Sequence, residues 1–421
     1  MTYLYFALRS LEEGRWFKLI CGASFQHLPA VRNLTLAYAL AGADCIDVAA
    51  DPAVIASAQE AFGIASELMH EAKQRGFGGQ GQLPWLMVSL NDGEDPHFRK
   101  AEFNQAECPP TCHRPCEQIC PEQAIVFHRP DDGFSGVVSE TCYGCGRCLP
   151  VCPSGLIYAR SYVSTPKAIA PIVFSTGVDA VEIHTQVGRF SEFQRLWQAV
   201  APWADKLKLV AISCPDGDGL IDYLWSLYHL ISPLPCPLLW QTDGRPMSGD
   251  IGNGTTLAAV KLGQKVLSAQ LPGYVQLAGG TNSYTVTKLK AVGILKSSRA
   301  REKINTDSTV DENSPLPLYP SAPLPTPVAS TGGTEARRRL LCPSAPLPLC
   351  PSAPLPYIAG IAYGSYARAL LSPILNQLEQ MEIKANGMQT VVRLEEKPEL
   401  LWQAVALAYS LVSQIKSLQQ L

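Results

Sequence analysis

Outside one cysteine-rich stretch, the chain alternates short, nearly all-apolar runs with longer amphipathic ones. The short runs are WFKLICGA (Trp16–Ala23), DCIDVAA (Asp44–Ala50), PWLMVSL (Pro84–Leu90), DAVEIHT (Asp179–Thr185), LKLVAIS (Leu207–Ser213), PLLWQTD (Pro237–Asp243), GYVQLAG (Gly273–Gly279) and YIAGIAY (Tyr357–Tyr363). Between them lie stretches such as LPAVRNLTLAYALAG, VIASAQEAFGIASELMHEAKQRG and TTLAAVKLGQKVLSAQ. Most open near Pro, Ser, Thr or Asp, and several close on Gly. Runs apolar on both faces suit strands covered on both sides, and amphipathic runs with those end signals suit the covering helices. The pattern predicts eight strand–helix units, the number a (β/α)8 barrel requires. A last amphipathic helix, PELLWQAVALAYSLVSQIKSLQQL, is expected to pack on the barrel or on a partner. An open doubly wound sheet is the alternative, but no G-x-G-x-x-G follows the first strand.

Composition removes several function classes. A net charge of −3 and a pI near 6.2 give no basic face for nucleic acid. No apolar run is long enough for a transmembrane segment. The opening MTYLYFALRSLEEGRWF lacks the basic leader, apolar block and small-residue cleavage site of a signal peptide. The expectation is a cytoplasmic protein, whose clustered cysteines more often bind metal than form disulfides.

Two segments break the strand–helix rhythm. The first, residues 101–164, holds eight cysteines in two runs, CPPTCHRPCEQICP (Cys108–Pro121) and CYGCGRCLPVCP (Cys142–Pro153). Cys142, Cys145, Cys148 and Cys152 follow C-x2-C-x2-C-x3-C-P, the iron–sulfur spacing of bacterial ferredoxins. A two-residue gap lets one tight loop present three thiolates, and Gly144 and Gly146 allow the backbone to approach the sulfides. The fourth cysteine is carried away to the other cluster. A zinc site fits badly, because it uses four ligands and commonly two distant C-x2–4-C halves. Cys108, Cys112, Cys116 and Cys120 are more widely spaced, though their end keeps the C-x3-C-P form. Ferredoxin logic assigns one [4Fe–4S] cluster to Cys108, Cys112, Cys116 and Cys152, and the other to Cys142, Cys145, Cys148 and Cys120. The alternative for the first run is a cluster with a labile or missing ligand, a [3Fe–4S] form. EQAIVFH and SGLIYAR read as the short strands that follow each half.

The second interruption, residues 297–356, repeats Pro-Ser-Ala-Pro-Leu-Pro from Pro320, Pro343 and Pro351. Prolines at that density exclude helix and interior strand, so disorder or polyproline II is expected. Cys342 and Cys350 belong to the repeat and are not counted as ligands. The expected organisation is a first barrel part (1–100), a ferredoxin-like iron–sulfur module (101–164), a second barrel part (165–296), the disordered insert (297–356), and the last strand and helices (357–421).

Over about fifty residues the two runs resemble bacterial two-cluster ferredoxin domains. Nearly the whole chain outside the insert resembles the light-dependent period protein family of cyanobacteria. The residues that carry this are LEEGRWFKLICGASFQHLPAVRNLTLAYALAGADCIDVAADPAV, the paired runs CPPTCHRPCEQICPEQAI and CYGCGRCLPVCPSGLI, and TDGRPMSGDIG, QLAGGTNSYT and GIAYGSYAR. The resemblance implies an iron–sulfur protein that reports redox state, and so light, to the circadian clock. It implies as partners an input histidine kinase and core clock proteins, with a redox donor such as ferredoxin or a quinone. The insert departs from the family pattern and looks like a translated DNA repeat.

Other candidate chemistry lies at strand ends. Gly279, Gly280, Thr281 and Asn282 follow the seventh strand, and Gly364 and Ser365 the eighth, where many barrels bind phosphate. Tight β–α turns alone also explain such glycines, and no flavin motif completes the site. His184, Asp216, Asp243 and Asp250 stand at strand ends without forming a catalytic pair by spacing. Cys21, Cys45, Cys214 and Cys236 read as buried packing thiols, and His113 and His128 as surface residues flanking the clusters. Three readings compete: a non-catalytic redox sensor, an oxidoreductase that feeds electrons to a flavin or other ligand in the barrel mouth, and clusters with a structural role only.

Overall fold

The computed structural model describes residues 5–21, 27–78, 81–93, 97–120, 123–130, 132–139, 141–142, 144, 146–163, 165–245, 252, 254–296, 355–384 and 392–417. Helix α1 (Tyr5–Glu12) precedes β1 (Trp16–Ile20), α2 (Leu28–Leu40), β2 (Cys45–Ala49), α3 (Pro52–Gln74) and β3 (Trp85–Asn91). There the chain leaves the barrel through β4 (His97–Glu102). It passes α4 (Pro115–Ile119), β5 (Ile125–Val126), β6 (Gly136–Val137) and α5 (Cys148–Val151), and returns along β7 (Tyr158–Val163). The barrel resumes with α6 (Pro166–Phe174), β8 (Ala180–His184), α7 (Phe190–Val200), β9 (Leu209–Pro215), α8 (Leu220–Ile231), β10 (Leu238–Asp243), α9 (Thr256–Ser268), β11 (Tyr274–Ala278) and α10 (Thr285–Ala291). It ends with β12 (Gly360–Tyr363), α11 (Ser365–Lys384) and α12 (Pro398–Lys416).

Eight strands, one from each expected apolar run, close in parallel in the order β1-β2-β3-β8-β9-β10-β11-β12 and back to β1. Outward side chains such as Phe17, Leu19, Ile46 and Val48 join the helices in the main core. The lumen is layered by the two-residue period of the strands. Its lower layer is apolar, with Trp16, Cys45, Trp85, Ala180, Leu209, Leu239 and Tyr274 packed against Leu8 and Leu11 of α1. Two residues further along each of five strands stand Lys18, Asp47, Glu182, Gln241 and Gln276, all buried. Helix α12 lays Leu401, Ala404, Val405, Ala408 and Ile415 on the barrel, in contact with α2, α11 and β1. Lys416 Nζ fastens its end to Asp44 Oδ1 at 2.6 Å.

Residues 297–354, where the proline-rich insert is expected, lie outside the described residues. Their flanks are joined: Ile358 N–H donates to the Ile294 carbonyl at 2.9 Å. Lys296 Nζ and Tyr357 Oη both donate to the Glu12 carbonyl, at 2.9 and 2.6 Å.

Candidate iron–sulfur centre

The cysteine segment is an insertion in the loop between β3 and α6. Such β–α loops lie on the C-terminal face of a barrel, where functional groups collect. Its entry and exit strands pair antiparallel from His97–Val163 to Glu102–Tyr158, so both ends are fixed together. Strand β4 begins before the expected boundary at residue 101. Its alternating sequence, HFRKAE, is polar enough to read as loop. A second small pair joins Ile125 to Val137. Together with Ala101, Ala124 and Ile157, these elements bury Cys116, Cys142 and Cys148 in a core of their own.

The two cysteine runs fold against each other through α4 and α5. Cys120, from the first run, lines one cavity with Cys142 and Cys148 of the second, beside Gly144 and Gly146. Both glycines have φ of +75°, a conformation costly for other residues, and they flank Cys145, which lies outside the described residues. In the other gathering, burial raises the Cys108 thiol pKa, and Cys112 and Cys152 push it the same way. Burial lifts Cys116 to about 11, with Cys152 and Cys108 adding to the rise. Cys108 thus stands near enough to Cys112 and Cys152 to feel their charge, and Cys116 near enough to Cys152 and Cys108.

The surroundings suit thiolate ligands. Ala101 N–H donates to Cys142 Sγ at 3.4 Å, Arg114 N–H to Cys112 Sγ at 3.4 Å and Ala124 N–H to Cys120 Sγ at 3.2 Å. Burial works against ionisation of Cys152. Backbone amides of Leu156, Ile157, Ser154 and Gly155 outweigh it and hold this thiol below its ordinary range. Amides aimed at sulfur stabilise the charged form, and they also set the potential of a cluster. Among the described residues, no three Cys, His, Asp or Glu side chains converge on a single-ion position. Each iron of a cubane needs only one protein thiolate, so the residues present fit an iron–sulfur group. His113 and His128 are exposed.

The barrel lumen carries residues that periodicity did not single out. Lys18 Nζ meets Asp47 Oδ2 at 3.1 Å, Gln241 Oε1 at 3.1 Å, and Glu182 Oε2. Gln241 Nε2 donates to Glu182 Oε1 at 2.7 Å, and Ser89 Oγ to Asp47 Oδ1 at 2.8 Å. His184 Nε2 lies 3.1 Å from Glu182 Oε1, and Asp243 accepts from Ser213 Oγ. Asp216 instead sits on the surface, paired with Lys265 at 2.6 Å, and Asp250 lies outside the described residues. A Cβ on Gly279 would meet the Arg245 backbone at 2.8 Å, and one on Gly280 would meet the Thr255 carbonyl at 2.8 Å. Thr281 Oγ1 donates to the Ala362 carbonyl at 2.6 Å, and Asn282 Nδ2 to the Gly252 carbonyl at 3.0 Å. Loop packing therefore accounts for these residues. A Cβ on Gly364 would stand in ordinary contact with Arg368 Nη1 at 3.6 Å, and Ser365 accepts from Arg368 Nη2 at 3.2 Å. Cys21, Cys45, Cys214 and Cys236 are buried, as expected of packing thiols. Among the described residues no helix is long and apolar enough to cross a membrane.

Comparison with known proteins matches both parts of the chain. Residues 108–163 fit the LdpA Fe-S cluster-binding domain, and residues 172–414 the light dependent period A C-terminal domain. "Light dependent period A" of Synechococcus elongatus is 51% identical over 290 residues, covering 69% of this chain and 78% of that protein. An uncharacterized ferredoxin of Methanocaldococcus jannaschii is 35% identical over 70 residues, 17% of this chain and 44% of the ferredoxin. The cysteine module is thus ferredoxin-like and its cofactor an iron–sulfur cluster, and the chain belongs to the light dependent period A family.

Proposed function

We propose that the chain is a redox sensor with two [4Fe–4S] clusters, which conveys redox state, and through it light, to the circadian period by binding protein partners. One cluster is assigned to Cys108, Cys112, Cys116 and Cys152, and the other to Cys120, Cys142, Cys145 and Cys148. The observation that carries this reading is the crossed gathering: Cys120 lines the cavity of Cys142 and Cys148, while Cys152 acts on Cys108 and Cys116. The name of the Synechococcus relative supports the link to a light-dependent period.

A bound [4Fe–4S] cluster supplies reversible one-electron storage. The chain does the rest. Amides on Cys142, Cys112, Cys120 and Cys152 hold the thiolates, and the β4–β7 ladder holds the module over the barrel face. A change of charge there, or loss of a cluster, reshapes the surface offered to a partner. The partners proposed are an input histidine kinase and core clock proteins, the electron donor a ferredoxin or a quinone, and the compartment the cytoplasm. Iron and sulfide analysis of anaerobic protein, with EPR, should show two cubanes. Partner binding should differ between oxidised and reduced protein and be lost or locked in Cys145→Ser; equal affinity in every state would overturn the sensor reading.

A second reading is an oxidoreductase with a ligand in the barrel mouth. The polar layer that holds Lys18, Asp47 and Glu182, with His184 two residues further along β8, favours it, since branched apolar residues commonly fill such barrel layers. A co-purifying flavin and turnover of an added acceptor would decide for it.

A further inference from the structure

We propose that Lys100 sets the reduction potential of the cluster assigned to Cys120, Cys142, Cys145 and Cys148, and couples its redox state to the barrel through Asp51; this rests on the iron–sulfur ligation proposed above. Lys100 lies on β4, is 8% exposed, and lines the same cavity as Cys120, Cys142 and Cys148. Its ammonium donates to the Cys142 carbonyl and to Asp51 Oδ2, the latter at 3.2 Å. The amide of the next residue, Ala101, donates to Cys142 Sγ at 3.4 Å. One strand therefore grips both the backbone and the sulfur of a ligand residue. Asp51 belongs to the barrel. Its Oδ1 accepts from Ala53 N–H at 2.8 Å and caps α3.

A buried ammonium is costly unless paired, and this one spans two elements, with one acceptor in the module and one in the barrel. A neutral side chain would serve as a strut. A full charge in the wall of a redox cavity does more, because it favours the reduced form. One-electron reduction adds one negative charge beside Lys100. The electron comes from a one-electron donor of the reduced ferredoxin type, and no bond is made or broken and no proton moves. The ammonium is then drawn toward the cavity and its hold on Asp51 weakens. Asp51 has the opposite sign and sits behind Lys100, so it damps the effect. The redox state is felt at the first turn of α3, on the C-terminal side of the barrel.

The test is an anaerobic potentiometric titration of the cluster-loaded protein followed by EPR. Lys100→Met should lower the midpoint of one cluster, Asp51→Asn should raise it, and Lys100→Arg should stay near the parent. A tenfold change in the ratio of reduced to oxidised protein at fixed potential is expected, which is about 59 mV for one electron. Hydrogen exchange at the Ala53–Ile55 amides should differ between oxidised and reduced parent protein, and not in Lys100→Met. Shifts of the same sign in the Met and Asn variants, or unmoved potentials with only stability lost, would make Lys100 a strut and overturn the proposal. If Lys100→Met fails to hold iron, Asp51→Asn against Lys100→Arg decides, and equal potentials overturn it. A parent protein without iron and acid-labile sulfide would instead sink the ligation reading itself.

Discussion

Replacing Lys18 with Met removes an ammonium wholly buried in the barrel lumen, where it meets Asp47, Glu182 and Gln241. Both carboxylates are themselves buried to within 1% exposure, so no water takes over the lost partner. Breaking a buried pair by deleting one member costs about 3–5 kcal/mol, because the remaining charge is stranded. Burial already raises the Asp47 pKa; Lys18 opposes that rise and Glu182 adds to it. Without Lys18 the rise grows. A carboxyl whose folded pKa exceeds its unfolded value stabilises the fold below the unfolded pKa, about 3.9 for Asp, and loses that contribution as pH climbs through the folded pKa. The deficit of Lys18→Met is therefore smallest in acid and grows toward neutral pH. Urea unfolding followed by tryptophan fluorescence, at matched iron content from pH 4.5 to 8, measures it. Adding Glu182→Gln to Lys18→Met removes one stranded charge and should recover part of the loss. A deficit under about 1 kcal/mol at pH 7.5, or one that does not change with pH, would refute the reasoning.

Crossed ligation predicts that Cys120→Ser abolishes the same EPR signal as Cys148→Ser, and Cys152→Ser the same one as Cys108→Ser; pairing by run instead would refute it. Replacing residues 300–352 with a short Gly/Ser linker should leave the urea midpoint nearly unchanged, since Ile358 already bonds Ile294 and loop closure changes by only about 0.6 kcal/mol per doubling of length. A loss above about 2 kcal/mol would assign the insert a stabilising role. Gly279→Ala should cost roughly 1–3 kcal/mol in the same assay, because its φ is +65° and its Cβ would meet the Arg245 backbone at 2.8 Å.

The eight barrel strands were legible because each run is short, largely apolar and bounded by helix signals, and every one begins within three residues of its predicted start. Strand β4 was not, since HFRKAE alternates weakly and gains its structure from pairing with β7, some sixty residues away. The second cysteine run stood out by its spacing, and Cys120 of the first run lines one cavity with Cys142 and Cys148 of the second. Lys18, Asp47 and Glu182 were overlooked. Lys18 sits alone in WFKLICGA, and Asp47 and Glu182 stand inside DCIDVAA and DAVEIHT, so each reads locally as an exception within a short apolar run. Only the closed barrel shows that they share a layer two residues above the apolar floor. Lys100 carries no motif at all. Its partners, Asp51 and Cys142, lie 49 and 42 residues away, and only the fold brings them together.

The insertion point itself bears on how a redox module can speak to a barrel. A ferredoxin-like domain joined at a chain end would hang from one linker and move independently. Here the antiparallel ladder from His97–Val163 to Glu102–Tyr158 fixes both ends, between β3 and α6. Lys100 adds a buried bond from that ladder to the cap of α3. The helix α3 in turn packs on α2, and α2 on α12, whose Lys416 reaches Asp44 at the opposite end of β2. A change at the Cys142 loop therefore meets a continuous series of packed elements rather than a hinge. Coupling through such a series requires an element with two arrangements. On the ligation proposed for Cys142, the Lys100 ammonium, shared between that residue's carbonyl and the cap of α3, would supply them. An electron on the module side would then shift its balance, with no substrate required in the barrel.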